Sequence, residues 1–194
     1  NIFFSDKFYT CTGFYHLLCN CIIVRRDRAY ILCNRGILLC GFINIIDGIA
    51  YFPSFTGELH EIDLRGEVAK YIGEWDLLSR SESAANWRPS GLALNDSDEQ
   101  GLFYVIMQPD GYDGSQTHGG TQVWVYDIKQ QQRIKVIEIA KGAASVALTR
   151  GKNPMMVITN GEMNLDIYNP KTGELIQNIS GFGNVTPLVV HKAY

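Results

Sequence analysis

The chain is poor in the residues that catalysis, metal binding or polyanion binding require. It has four histidines, at 16, 60, 118 and 191, and none has a second histidine or a carboxylate at ligand spacing. Lys and Arg total 17 against 20 Asp and Glu, and Arg25-Arg26-Asp27-Arg28 is the one basic cluster. A formal charge of -3 with so little clustering argues against nucleic-acid binding through phosphates. The most apolar stretch, 36–51, is interrupted by Asn44 and Asp47-Gly48 and is too short to cross a bilayer as a helix, so no membrane insertion is expected. Ser90 precedes Gly91, but Arg88 stands where a nucleophile elbow needs its other glycine. Asp96, Asp98 and Glu99 form an acidic turn that reads as a solvated loop in preference to a calcium site. Asn178-Ile-Ser180 and Asn184-Val-Thr186 fit a glycosylation pattern that matters only in a eukaryotic secretory setting. No catalytic residue, metal ligand or cofactor site of the chain's own emerges.

Cysteine is present but unpatterned. The five residues lie at 11, 19, 21, 33 and 40, an odd count without a Cys-x-x-Cys pair, so zinc is not expected. Cys19 and Cys21 are too close in sequence to bridge one another, although either thiol can pair elsewhere. The residues read either as buried thiols acting as small hydrophobes or as partners in bonds that leave at least one unpaired.

What the chain does have is a repeat. Its 194 residues are 46% hydrophobic and 19% charged, ordinary for a globular protein with a sizeable core. Placing Tyr126-Asp127 on Tyr168-Asn169, an offset of 42 residues, superimposes 123–134 on 165–176. Val123, Val125, Tyr126, Lys129 and Ile134 then meet Leu165, Ile167, Tyr168, Lys171 and Ile176. A weaker copy runs from Leu59–Asp63 through Gly66-Glu67 to Val68–Ile72. Each copy is a strand, a polar turn and a second strand, and a spacing near forty residues with two short apolar strands between hairpins is that of four-stranded propeller blades. The fold class is therefore all-β, a single partial β-propeller over 1–194.

The blades predict strands at 91–94, 102–107, 122–128 and 133–139, then at 144–149, 155–159, 165–169 and 174–180. A lone apolar strand at 185–190 reads as one that closes a ring with the other terminus, which makes the chain about three to four blades of something larger. The segment 74–90 breaks the pattern and reads as an inter-blade insertion, with a short helix after Ser79 and Glu82 three residues on, as in a capping box. It ends in Trp87-Arg88-Pro89. Proline holds Arg88 extended, and Trp and Arg are frequent binding anchors, so the segment is either a plug packing the insertion onto the propeller or an interface anchor. The long polar loop 108–121, which carries His118, is a second place for contacts.

Several of these strings, in this order, resemble the heavy β-propeller subunit of the bacterial quinoprotein amine dehydrogenases, the methylamine and aromatic amine dehydrogenases. They are Phe3-Phe-Ser-Asp6, Arg28-Ala-Tyr-Ile-Leu-Cys33, Tyr51-Phe-Pro-Ser-Phe-Thr-Gly-Glu-Leu-His-Glu-Ile-Asp63, Trp87-Arg88-Pro89 with Gly91, Val123–Asp127 and Leu165–Glu174. The resemblance implies a seven-bladed ring, of which this chain is the C-terminal half, in a periplasmic heterotetramer of two heavy and two light subunits. It places a tryptophan tryptophylquinone in the light subunit, so Trp75, Trp87 and Trp124 are not cofactor precursors. The complex it implies deaminates primary amines oxidatively to aldehyde and ammonia and passes electrons to a small copper protein of the amicyanin or azurin type. This chain, inactive alone, would be scaffold and interface, with Trp87, Arg88, Pro89 and His118 as candidate contacts. The resemblance also implies a disulfide in which Cys33 takes part, with Cys11 as partner and Cys19 and Cys21 as rivals. Residues 12–24 depart from the family pattern, and the span between Cys33 and Ile49 is short by about one hairpin. Two other readings follow from the residues: a free-standing propeller interaction module, and a degenerate remnant.

Overall fold

The computed structural model describes residues 44–90, 95–112, 115 and 118–181, together with the backbone of three strands nearer the N-terminus. Those three, β1 (Lys7–Tyr9), β2 (Cys21–Arg25) and β3 (Arg28–Leu32), pair antiparallel in the order β1-β2-β3. Cys11 and Cys33, the expected disulfide, lie outside the described residues, as do Cys19 and the strands expected at 91–94 and 185–190.

The described body is three antiparallel blades of a partial β-propeller. The first is β4 (Asn44–Ile46), β5 (Ile49–Pro53), β6 (Glu58–Asp63) and β7 (Lys70–Asp76), in that order. Asp47 and Gly48, both at positive φ (50° and 75°), make the tight turn that an Asp-Gly pair favours between β4 and β5. In the second blade, β8 (Arg88–Pro89) and β9 (Asp96–Ser97) both pair with β10 (Leu102–Gln108), which pairs with β11 (Gly120–Asp127). Next comes β12 (Gln132–Leu148), and then β13 (Met156–Asn160), β14 (Leu165–Tyr168) and β15 (Leu175–Ile179).

Two strands were expected where β12 runs unbroken. Its first part is the outer strand of the second blade, paired to β11, and its last part, from Ala143, is the inner strand of the third, paired to β13. Small residues at the change-over, Gly142-Ala143-Ala144, let the extended backbone bend from one sheet into the next, with register shifts on both sides of it. The insertion expected over 74–90 also differs at its ends. Glu74–Asp76 belong to β7, and Arg88–Pro89 are already a strand of the second blade.

The blades stack through apolar faces. Residues of β10 alternate: Phe103, Val105 and Met107 join Trp124 and Tyr126 against Ile49, Tyr51 and Leu59 of the first blade. Tyr104 and Ile106 join Val123, Val125 and Ile137 against Val146, Leu148, Met156, Ile158 and Tyr168 of the third. Burial on both faces makes the run Phe103–Met107 continuously apolar, where a one-faced strand would alternate with polar residues.

The repeat seen in the sequence is a repeat of register, including a fault in it. In the outer hairpin of each blade the pairing slips by one residue: Glu61↔Gly73 then Ile62↔Tyr71, Val125↔Lys135 then Tyr126↔Arg133, and Ile167↔Gln177 then Tyr168↔Leu175. The bulged residue is an isoleucine each time, Ile72, Ile134 and Ile176, and each is exposed, at 51%, 50% and 58%. A bulge at one place in every outer strand twists the strand and interrupts an edge that would otherwise offer a flat ladder to another chain. Ile134→Ser is therefore expected to cost no more than about 1 kcal/mol. Inserting one residue between Lys135 and Val136, beyond the bulge, shifts the pairing by one, moves Ile137 from opposite Val123 out of the core and costs about 3 kcal/mol or more; urea unfolding midpoints distinguish the two.

Candidate functional site

The crossing from the first blade to the second begins at Leu77, whose amide donates to Gly57 O at 2.8 Å. Ser79 is the N-cap of a one-turn-and-a-half helix, α1 (Arg80–Ala84). Its hydroxyl accepts from Glu82 N and Glu82 Oε2 accepts from Ser79 N at 2.8 Å, the reciprocal box expected from the spacing. Asn86, at φ 60°, turns the chain out of the helix, and Trp87 N donates back to Glu82 O at 3.0 Å. Arg88 and Pro89 then pair with Gln108 and Met107. Pro89 is tolerated because β8 borders β10 on one side and no strand on the other among the described residues.

Trp87 is half-buried. Its ring lies 5.3 Å from that of Trp124, tilted by 42°, and the Arg133 guanidinium sits 4.0 Å over the other ring of the pair, Trp124. Arg133 Nη2 reaches Glu82 Oε1 at 2.6 Å, so the helix cap, the cation and the tryptophan pair form one connected unit. Trp124 Nε1 donates to Gln122 at 2.6 Å, and Gln122 in turn donates to Glu138 at 2.6 Å. Deeper in, Tyr126 donates its hydroxyl to Leu77 O at 2.8 Å and meets Trp75 edge-on at 5.7 Å. Burial pushes the Tyr126 phenol well up, with the Arg133 charge opposing it. Arg88 is turned inward: its Nη1 donates to Trp87 O at 2.6 Å and to Ser83 O at 3.2 Å.

The loop after β10 is fastened to this unit. Gly111 N donates to Asn86 O at 2.7 Å, and a Cβ at Gly111 would clash with the Arg88 stem, so only glycine fits under that side chain. Ser115 is fully buried and organises the loop: its hydroxyl accepts from Tyr112 N at 2.9 Å and its carbonyl from Gln108 Nε2 at 3.1 Å. Ser90 donates its hydroxyl to His118 O at 2.6 Å. What the fastening displays is an aromatic tip: Tyr112, 60% exposed, with the exposed His118 ring edge-on to it at 5.8 Å.

All four expected contact residues, Trp87, Arg88, Pro89 and His118, thus lie in one assembly of insertion and loop. Arg88 and Pro89 build its base, Trp87 its flank and His118 its tip. Tyr112, Ser115 and Arg133 were not singled out by the sequence. Arg133 was detectable as a departure from the repeat, since the equivalent position of the next blade is Leu175. The acidic turn differs from expectation more sharply. Asp96, expected in a solvated loop, is buried, and its carboxylate accepts from Ser97 N at 2.8 Å and Leu148 N at 2.7 Å. Asp98 accepts from Gln100 N and Leu102 N and caps its own turn. Among the described residues no group of three or more His, Cys, Asp or Glu is placed to hold a metal ion, and no helix is long and apolar enough to cross a membrane.

Glu82 makes the unit pH-sensitive. Burial alone would raise its carboxyl, but bonds from Arg133 and Ser79 outweigh it and hold the group below its ordinary 4.5. A depressed folded value stabilises the unit fully above about pH 4.5, and the contribution is lost as pH falls through the folded value. Tryptophan emission is expected to change below pH 4.5, as Arg133 loses its partner over Trp124, and Glu82→Gln is expected to remove that transition.

Residues 43–193 match the family model for the methylamine dehydrogenase heavy chain (MADH). The chain is 24% identical over 139 residues to the methylamine dehydrogenase heavy chain of Paracoccus versutus, covering 70% of this chain and 32% of that protein. It is 23% identical over 141 residues to the corresponding heavy chain of Methylorubrum extorquens, covering 70% and 33%. It therefore spans about a third of the length of these relatives. The solved Kuenenia stuttgartiensis hydrazine synthase is similar with a TM-score of 0.48 at 13% identity, over 82% of this chain and 45% of that one, and adds nothing to the assignment. The blades, their order and the match over 43–193 establish that this chain belongs to the methylamine dehydrogenase heavy-chain family.

Proposed function

We propose that this chain is scaffold and interface in the heavy subunit of a periplasmic, tryptophan tryptophylquinone-dependent amine dehydrogenase. The observation that carries the reading is the family match across all three described blades. The reaction takes a primary amine and water to an aldehyde and ammonia, releasing two electrons and two protons. The quinone, built from two tryptophans of the light subunit, supplies the electron acceptor, and a small copper protein of the amicyanin or azurin type takes the electrons onward. The assembly is two heavy and two light subunits.

This chain's own tryptophans support that division of labour. Trp75 donates its indole N–H to Glu61 at 3.0 Å, Trp124 donates to Gln122, and Trp87 stacks on Trp124, so all three are engaged in packing the first blade on the second. The light subunit docks on the tip formed by Tyr112 and His118, with Trp87 at its flank. Tyrosine and tryptophan offer large, rigid contact area with little entropy to lose, and the tip is held by buried hydrogen bonds on its inner side.

The test is co-expression of tagged chain with a light subunit of this family. The light subunit is expected to co-purify with a quinone absorbance, and the double variant Tyr112→Ala, His118→Ala to lower capture about tenfold or more while the circular dichroism of the chain stays unchanged. A colourless chain that purifies alone in the presence of light subunit would favour a free-standing propeller module and overturn the proposal.

A further inference from the structure

The common bulge fixes which residues are equivalent in the three blades. Ile62, Tyr126 and Tyr168 follow the slip, and they pair with Ala50, Phe103 and Met156. One residue along, Tyr51, Tyr104 and Val157 are equivalent, and their partners on the innermost strands are Asn44, Asp96 and Ala147.

At two of these three positions the side chain crosses to the next blade. Asn44 Nδ2 donates to Asn95 O of the second blade at 2.9 Å. Asp96 Oδ2 accepts from Leu148 N of the third at 2.7 Å. Asp96 adds a second link through Oδ1, 3.3 Å from Arg150 Nη2, while Arg150 Nη1 donates to Ser97 O. An innermost strand has no further strand on its axial side, so its outward backbone groups need partners from elsewhere. A short Asn or Asp on the preceding blade reaches them.

We propose that this position is a repeated blade-to-blade tether, made by Asn44 and Asp96, and that the third blade receives it without passing it on. Ala147 has a methyl group where the others have a hydrogen-bonding end. The apolar stacking between blades is non-directional and tolerates sliding, whereas a side chain bonded to a named backbone atom sets the rotation of one blade on the next. The three described blades are therefore locked in mutual register near the axis. This inference rests on geometry within the chain and stands whatever the partner is.

Site-resolved amide hydrogen exchange on the full chain tests it, with three variants. Asp96→Ala is expected to speed exchange at Leu148 and along β13 by roughly tenfold, leaving β5 and β6 of the first blade unchanged. Asp96→Asn keeps an acceptor oxygen and is expected to retain protection at Leu148. Asn44→Ala is expected to speed exchange in the first blade and not in the third, and it serves where Asp96→Ala does not fold. Uniform acceleration across all three blades in Asp96→Ala or in Asn44→Ala would show a general stability effect and overturn the tether, as would unchanged exchange at Leu148 in Asp96→Ala.

Discussion

The second blade is apolar on both of its faces, and the arrangement of everything else depends on that. Phe103, Val105 and Met107 require an apolar sheet on one side, and Tyr104 and Ile106 require another on the other. A single sheet with two such faces is stable only when sandwiched, so the first and third blades are held against it by area alone. Area does not set angle. Directional contacts lie at the margins: Asn44 and Asp96 near the axis and, between the first and second blades, the Tyr126 hydroxyl on Leu77 O with the Glu82–Arg133 pair.

The same logic explains why the insertion is where it is. It leaves the first blade at Leu77 and enters the second at Arg88, so it bridges the very junction that the two tryptophans fill. Its helix is too short to be stable alone and is sustained by its cap and by Arg133, whose charge also covers Trp124. The loop carrying Tyr112 and His118 is built on top of that bridge through Gly111 and Ser90. Tyr112 and His118 are held in place by this means, and a held aromatic tip loses less entropy on docking than a mobile one.

Much of the fold was legible because hairpins are local. The 42-residue echo predicted the outer hairpins, and Ser79 with Glu82 predicted the cap, whereas the bulge at Ile134 and Ile176 is a matter of pairing register that the sequence did not show. The contacts between blades were not legible, because a cross-blade bond joins residues about fifty apart with no local signature: nothing near Asp96 in sequence marks it as the acceptor for Leu148. It stood in a run of acidic residues, and runs of charge usually face water. The candidate contact residues were found by type, Trp, Arg and His, and type alone does not say which way a side chain points. Arg88 points inward and Tyr112, passed over, points out. The expected pairing of Cys11 with Cys33 lies outside the described residues and stands as an expectation.

The central proposal is that this chain carries a docking surface of an amine dehydrogenase heavy subunit at its aromatic tip, Tyr112 with His118. The most direct measurement is a hydrogen-exchange footprint of the chain with and without a light subunit of the family. Protection confined to the backbone amides around Tyr112 and His118 and to Trp87 is the predicted result. A footprint that leaves those amides unprotected while the light subunit is bound would contradict it.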